Sequence, residues 1–237
     1  MPQGPHLLII LLNGALLMGA AALPGYVLGS IPWGLILSRL GGVDVRSAGS
    51  GNIGATNVWR VMGWQWGLPT FLLDTAKGIG AVLLTRHLAS SILEPSKVMA
   101  DAVAWSGTVS GLAAILGHNY PIWLRFRGGK GVATSLGVVL ALMPIQSLFV
   151  FAIWGCVLAI TRYVSLASIA AALCLPLLAL LAQWNDLKGN GGRLPFACIA
   201  ALLVVRRHRE NITRLLNGTE NRLGQKKSSS ETDPHGN

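Results

Sequence analysis

The chain has 237 residues, 52% of them hydrophobic and 12% charged, and a formal net charge of +10. With a mean hydropathy of +0.54, it has too little polar surface to coat a water-soluble globule. The basic residues are interleaved with apolar runs and form no stripe or RNA-binding signature, which excludes nucleic acid as the partner of that charge; anionic headgroups and phosphorylated substrates fit better.

Apolar runs fall at 7–37, 66–85, 99–117, 131–143, 145–160, 164–183 and 194–205. Several approach the ~20 residues that cross hydrocarbon, which predicts an all-α, polytopic integral membrane protein with about seven transmembrane helices. The first run exceeds one span and holds Pro24, Gly25, Gly29 and Pro32, so a kink or a partly interfacial segment is expected there. No Lys or Arg precedes it, and apolar sequence continues past any cleavage site, so no cleaved signal peptide is expected. The fourth and last runs are short and rely on snorkelling arginines. Asp74 and Lys77 lie three apart inside the second run, where a mutual ion pair facing the bundle interior is the economical account. Cys156, Cys174 and Cys198 are scattered through apolar runs, which argues against a metal site or a disulfide framework. Residues 1–224 read as one domain, and the polar stretch 225–237 as a disordered tail.

Basic residues gather in alternate loops: Arg39, Arg46 and Arg60 in the first, Arg125, Arg127 and Lys130 in the third, Arg162 in the fifth, and several in the C-terminal tail. The positive-inside rule then puts the N-terminus outside and the C-terminus in the cytoplasm. Every glycine-rich or basic cluster falls on that cytoplasmic face, where they can build one site. The glycosylation sequons at Asn211 and Asn217 fall there too and are discounted.

The first cluster runs from Arg46 to Asn57 and is closed by Arg60. Gly49, Gly51 and Gly54 let backbone N–H groups converge on an oxyanion. Arg46 and Arg60 supply guanidinium forks, and Ser50, Asn52, Thr56 and Asn57 supply hydroxyls and amides. A glycine-rich connector carrying orienting arginines is the bland alternative. In the second cluster Gly128, Gly129 and Gly131 surround Lys130 just before a helix, so N–H groups, helix dipole and ammonium point at one phosphate. It is not a P-loop: Leu124 stands where Gly is needed, and Gly131 where Ser or Thr is needed. The third cluster pairs Arg162–Ile169, with Ser165 and Ser168, with the tail from Arg206 to Glu220. On a helix there, His208 and Asn211 share a face at i, i+3, an imidazole suited to proton transfer beside an amide that orients a substrate.

GSIPWG at 29–34, GSGNIGATNVWR at 49–60, GHNYP and RGGKGVAT within 117–134, RYVSLASI at 162–169 and HRENITRLLNGTE at 208–220 resemble, in order and spacing, the bacterial acyl-phosphate-dependent glycerol-3-phosphate acyltransferases, the PlsY family. The resemblance implies a seven-helix inner-membrane enzyme with its site facing the cytoplasm. It transfers a fatty acyl group from acyl phosphate to the 1-hydroxyl of sn-glycerol 3-phosphate, giving lysophosphatidic acid and inorganic phosphate, and needs no cofactor or metal. It also implies Ser50, Arg60, His208 and Asn211 at the reacting centre and Lys130 with Gly128, Gly129 and Gly131 as the glycerol 3-phosphate cradle. Glu220 becomes a structural partner of the loop arginines. No histidine is followed by Asp five positions on, so the H-x4-D pattern of other glycerolipid acyltransferases is absent. These residues leave open whether His208 or a substrate phosphate takes the proton. The competing class is a transporter or channel for an organic phosphate, which requires a path of ionisable residues and matched broken halves; Asp74 and Lys77 alone do not make one.

Overall fold

A computed structural model describes residues 4–92, 97–183 and 192–224, with side chains described at 16–92, 100–182 and 192–224. The described residues form helices α1 (Gly4–Ser30), α2 (Trp33–Leu40), α3 (Ala55–Met62), α4 (Trp64–Ile92), α5 (Lys97–Asn119), α6 (Val132–Leu142), α7 (Pro144–Thr161), α8 (Val164–Gln183), α9 (Arg193–Arg207) and α10 (Arg209–Leu216). Among them there is no strand. The expected tail at 225–237 lies outside the described residues.

The kink expected in the first run falls between α1 and α2. Pro32 has no N–H and pushes the residue before it out of the helical region, so α1 stops at Ser30 while Pro24 is carried inside it. The apolar stretch before residue 17 extends α1 rather than forming a helix of its own. The break leaves the Ile31 carbonyl without its helical partner, and Lys77 Nζ, 2.9 Å away, donates to it from α4.

Small residues set the helix contacts. A Cβ at Gly25 or Gly29 would overlap Ser110 or Ala114 of α5, and one at Gly78 or Gly137 would overlap backbone of α6 or α4 respectively. Four-residue spacing of small residues lets helix backbones meet closely, the usual packing device in lipid. Around these contacts α4, α5, α6, α8 and α9 enclose Val82, Ile115, Val138, Leu142, Leu175 and Phe196. Large apolar side chains such as Leu72, Leu88, Phe149, Leu177 and Leu202 stay exposed on the outside, which water would not tolerate over so much surface but acyl chains do. The protein is an all-helical, multi-pass membrane protein.

Five helical segments of the described residues are long and apolar enough to cross a bilayer: Leu16–Leu40, Trp64–Ile92, Ala100–Leu124, Pro144–Thr161 and Val164–Ala182. The count of about seven is thus met only if shorter elements are added. With 11 residues, α6 is roughly 16 Å long, about half the hydrocarbon thickness; it is buried against α4 instead of facing lipid. Short turns make successive helices reverse direction, so the segments before α3, between α5 and α6, between α7 and α8, and after α9 meet at one end. Contacts tie them there: Arg207 to the Gly129 carbonyl, Ser165 to Glu220 and the Leu223 amide to the Arg162 carbonyl.

Candidate active site

The first glycine loop is organised by Asn57, which is 2% exposed. Its Nδ2 donates to the carbonyls of Val45, Ala48 and Asn52 at 3.2, 3.1 and 2.9 Å. Its Oδ1 accepts from the Ser50 amide at 2.8 Å and from Arg60 at 3.4 Å. The Gly51 amide donates to Ala48 O, and the Gly54 amide to Asn52 Oδ1. The expected convergence of the loop amides on an anion is therefore corrected for Ser50, Gly51 and Gly54, whose N–H groups close the loop on itself. Gly49 and Gly51 have φ of 60° and 69°, a region that penalises a Cβ, and a side chain at Gly49 would strike Asn57. What the loop presents outward is Ser50, Arg60 and the start of α3, where Gly54, Ala55 and Thr56 line the cavity. Arg46 does not join them. It pairs with Asp44 through two hydrogen bonds of 2.9 and 2.6 Å, which hold the Asp44 carboxyl well below the usual carboxylate range and push Arg46 up.

The second glycine loop is corrected in the same sense. The Gly128 and Gly129 amides donate to the carbonyls of Asn119 and His118, at 3.2 and 3.0 Å. Their own carbonyls accept from Arg207 at 2.7 to 2.9 Å, and that guanidinium also lies over the Tyr120 ring. Both glycines serve by close approach: a Cβ at Gly128 would overlap the His118 carbonyl, and one at Gly129 the His118 ring. Lys130, Gly131 and the first residues of α6 face the cavity, so ammonium and helix N-terminus act together. Burial pulls the Lys130 ammonium down to about 8, leaving it mostly charged at neutral pH.

His208 breaks the last helix into α9 and α10, so it and Asn211 are not on one continuous helix as expected, yet both line the cavity. The His208 Nδ1 is 2.8 Å from the Val204 carbonyl. A carbonyl only accepts, so Nδ1 carries the hydrogen and Nε2 the lone pair. Burial draws this imidazole down to about 4, neutral at pH 7. Asn211 Oδ1 accepts a short hydrogen bond from Lys130, and its Nδ2 donates to Glu220 Oε1 at 2.6 Å; an ammonium can only donate and a carboxylate only accept, which settles the amide's orientation. Glu220 also accepts from Ser165 and Arg214, both at 2.7 Å. Burial opposes its ionisation, but the bonds from Asn211, Arg214 and Ser165 outweigh it and hold the carboxyl below its ordinary value. Glu220 therefore pairs with Arg214 of α10, not with the loop arginines; Arg60 lies only within its field. Ser168 supports the wall, accepting from Trp154 Nε1 at 3.2 Å.

One cavity of about 500 Å³ collects these groups. Ser50, Arg60, Lys130, His208 and Asn211 stand at its polar end. Phe71, Leu136, Val150, Phe151, Leu158 and Leu175 line the rest. Asp74 and His118 also border it, and the expected Asp74–Lys77 ion pair is present at 2.8 Å. Reading the sequence missed His118, Arg207 and Arg214. Each sits inside a quoted motif or beside one, but its partner lies 6 to 79 residues away, beyond any local spacing rule. Among the described residues no group of three His, Cys, Asp or Glu side chains could hold a metal.

A polar site that opens into an apolar pocket at one end of a helical bundle defines a membrane enzyme acting on amphiphilic, anionic substrates. The family model described as glycerol-3-phosphate acyltransferase matches residues 19–218. The glycerol-3-phosphate acyltransferase of Geotalea daltonii is 47% identical over 196 residues, covering 83% of this chain and 92% of the relative. That of Rhodospirillum rubrum is 47% identical over 214 residues, covering 90% and 94%. The crystal structure of PlsY, an integral membrane glycerol 3-phosphate acyltransferase, in its glycerol 3-phosphate form superposes with a TM-score of 0.74 at 41% identity, covering 90% of this chain and 96% of that one. A lysophosphatidic acid form gives the same TM-score at 40% identity, covering 87% and 95%. The chain belongs to the glycerol-3-phosphate acyltransferase family, in its PlsY branch, and its reaction is the acylation of glycerol 3-phosphate.

Proposed function

We propose that the acyl donor is a long-chain acyl phosphate, that the 1-hydroxyl of sn-glycerol 3-phosphate is the acceptor, and that lysophosphatidic acid and inorganic phosphate are the products. The observation that carries this reading is the two-part cavity, whose cationic end suits two phosphoryl groups and whose apolar length suits an acyl chain. An acyl phosphate is a mixed anhydride with a good leaving group, so no protein nucleophile is required. The protein must hold two mutually repelling phosphates and align a hydroxyl on a carbonyl carbon.

Lys130 and the N-terminus of α6 hold the phosphate of glycerol 3-phosphate. Arg60, Ser50 and the N-terminus of α3 face the acyl phosphate. Asn211, fixed between Lys130 and Glu220, keeps the ammonium in place rather than touching the reacting atoms. His208 Nε2 accepts the hydrogen bond of the attacking hydroxyl and aims its oxygen at the carbonyl. As the new C–O bond forms, the bond to the phosphoryl oxygen breaks. The proton leaves on phosphate, whose second pKa near 6 makes it a better base than an imidazole drawn down to about 4.

The placement we propose is seven membrane-embedded helices, α2 with α1, then α4 to α9, in one domain over residues 1–224 of a bacterial inner membrane. The N-terminus is outside, and the site opens to the cytoplasm, where glycerol 3-phosphate is found. Alternation of basic loops supports this orientation. The experiment is phosphate release by the purified protein given acyl phosphate, with and without glycerol 3-phosphate, alongside mass detection of lysophosphatidic acid. Release that needs the acceptor and equals product one for one is expected. Product from acyl-CoA but not acyl phosphate would overturn the donor assignment.

A further inference from the structure

His118 borders the cavity beside the second glycine loop and has no part in the scheme above. It lies at the end of α5 and is 4% exposed. Its Nδ1 is 2.9 Å from Lys77 Nζ, which also lies 2.9 Å from the Ile31 carbonyl and 2.8 Å from Asp74 Oδ1. An ammonium has N–H donors and no lone pair; the Ile31 carbonyl accepts one, Asp74 Oδ1 balances the charge without accepting a hydrogen bond, and His118 Nδ1 accepts another only if it carries a lone pair. Asp74 Oδ1 stands 3.6 Å from the same nitrogen, too far to accept a hydrogen from it. The ring's hydrogen is therefore on Nε2.

Nε2 points at the loop. A Cβ at Gly129 would lie closer to Nε2 than to either ring carbon beside it, so the absence of a side chain there keeps this edge of the ring open. The side-chain hydrogen bond of His118 among the described residues is made by Nδ1. On the same wall, in the first turn of α6, Ser135 Oγ is buried with no partner. His118 Nε2 and Ser135 Oγ thus line the cavity that holds Lys130 without a hydrogen bond among the described residues, and unpaired polar groups in such a site imply a ligand.

We propose that His118 Nε2–H donates a hydrogen bond to a phosphoryl oxygen of a substrate seated against Gly129 and Lys130, and that Lys77 holds it in the tautomer that can do so. The ion pair within the membrane thus gains a function: Asp74 balances the buried ammonium, and the ammonium polarises the imidazole toward an anion. Binding of this kind involves no proton transfer, since His118 stays neutral throughout. The inference rests on the reading of Lys130 as part of a phosphate site.

The test uses the full chain in lipid nanodiscs. Nitrogen NMR of histidine-labelled protein is expected to show His118, assigned by its loss in H118Q, with a lone pair on Nδ1 and a hydrogen on Nε2 across neutral pH. A hydrogen on Nδ1, or an imidazolium, would overturn the proposal even if every variant misfolded. In kinetics, the Gln amide of H118Q reaches the Nε2 position and donates, whereas that of H118N reaches only Nδ1. H118N is expected to raise one substrate's KM roughly ten- to a hundredfold with kcat within a few-fold, and H118Q to restore most of it. Separate titrations of glycerol 3-phosphate and acyl phosphate identify whose phosphoryl group is bound. Equal losses of kcat in both variants with both KM values unchanged would reduce His118 to a structural residue. K130A is the control: if it raises KM while H118N does not, only this inference fails, and if K130A leaves both KM values unchanged, the phosphate-site reading itself fails.

Discussion

The two histidines of the cavity are held by opposite partners. His208 hangs from a carbonyl, 2.8 Å from Nδ1; His118 rests against an ammonium, 2.9 Å from the equivalent atom. A carbonyl demands a hydrogen and an ammonium demands a lone pair, so one ring turns an acceptor toward the cavity and the other a donor. Identical side chains acquire different chemistry from the atom behind them. The first suits a hydroxyl that must be aimed, and the second suits a phosphoryl oxygen that must be bound.

That contrast breaks most sharply at His208. His208→Ala removes the acceptor that aims the hydroxyl and should lower kcat by roughly 10²- to 10⁴-fold, with expression and elution of the folded protein unchanged. Activity within tenfold of wild type would place the aiming group elsewhere. Arg207→Met should follow. It frees the Gly128 and Gly129 carbonyls that the guanidinium now holds and so loosens the loop under Lys130 and His118 alone. KM for glycerol 3-phosphate should rise roughly tenfold while kcat falls less; an equal fall in kcat would mean that both halves depend on the same brace.

The acceptor and donor sides also separate by pH. Lys130, pulled down to about 8 by burial, is charged below that value and neutral above it. Phosphate binding is thus strong on the acid side and lost as pH rises, so kcat/KM for glycerol 3-phosphate should fall toward tenfold per pH unit above about 8. Lys130→Arg, which keeps its charge, should abolish that break in the profile. Glu220→Ala sharpens the comparison through stability instead. It strands Asn211, Arg214 and Ser165 and should cost on the order of 2 kcal/mol near neutral pH, read as a lower thermal midpoint. The Glu220 carboxyl is held below its ordinary value, so its contribution is present above the ordinary Glu pKa and lost as pH falls. The gap between wild type and variant should narrow in acid.

How far this division could be read from residues alone depends on reach. Hydropathy located α1 and α4 to α9, because lipid demands apolar runs wherever the chain crosses it, but not the short α3 and α10, which carry site residues. Pro24, Gly25, Gly29 and Pro32 marked a break somewhere in the first run but not which of them makes it; Pro24 is carried within α1, and the break falls at Pro32. The ion pair of Asp74 with Lys77 was legible because its members are one helical turn apart. The Asp74–Lys77–His118 group was not, because His118 arrives from a different helix 41 residues away. Glycine spacing was the misleading signal. It identified both loops, but the N–H groups of Ser50, Gly51, Gly54, Gly128 and Gly129 proved to be engaged by Asn57, Asn52 and nearby carbonyls. Glycine permits a loop to fold tightly, and which groups the folded loop then turns outward is decided by partners that spacing does not name.

Arg46 is where the two accounts diverge at the smallest expected effect. By charge and position it looks like a twin of Arg60, set at the other edge of the first loop. Both are exposed at the surface, but the Arg60 guanidinium borders the cavity, whereas Arg46 lies outside it and grips Asp44 two residues away. An exposed pair of this kind adds little, about 0–1 kcal/mol, and it neutralises the charge a substrate would need. Arg46→Ala should therefore leave kcat/KM within about twofold, consistent with so small an energy, whereas Arg60→Ala should be severely impaired. Measuring both variants with the same two substrates decides the matter. A large loss in Arg46→Ala would require the Arg46–Asp44 pair to open when a phosphate binds, and the first loop would then belong to the moving part of the site.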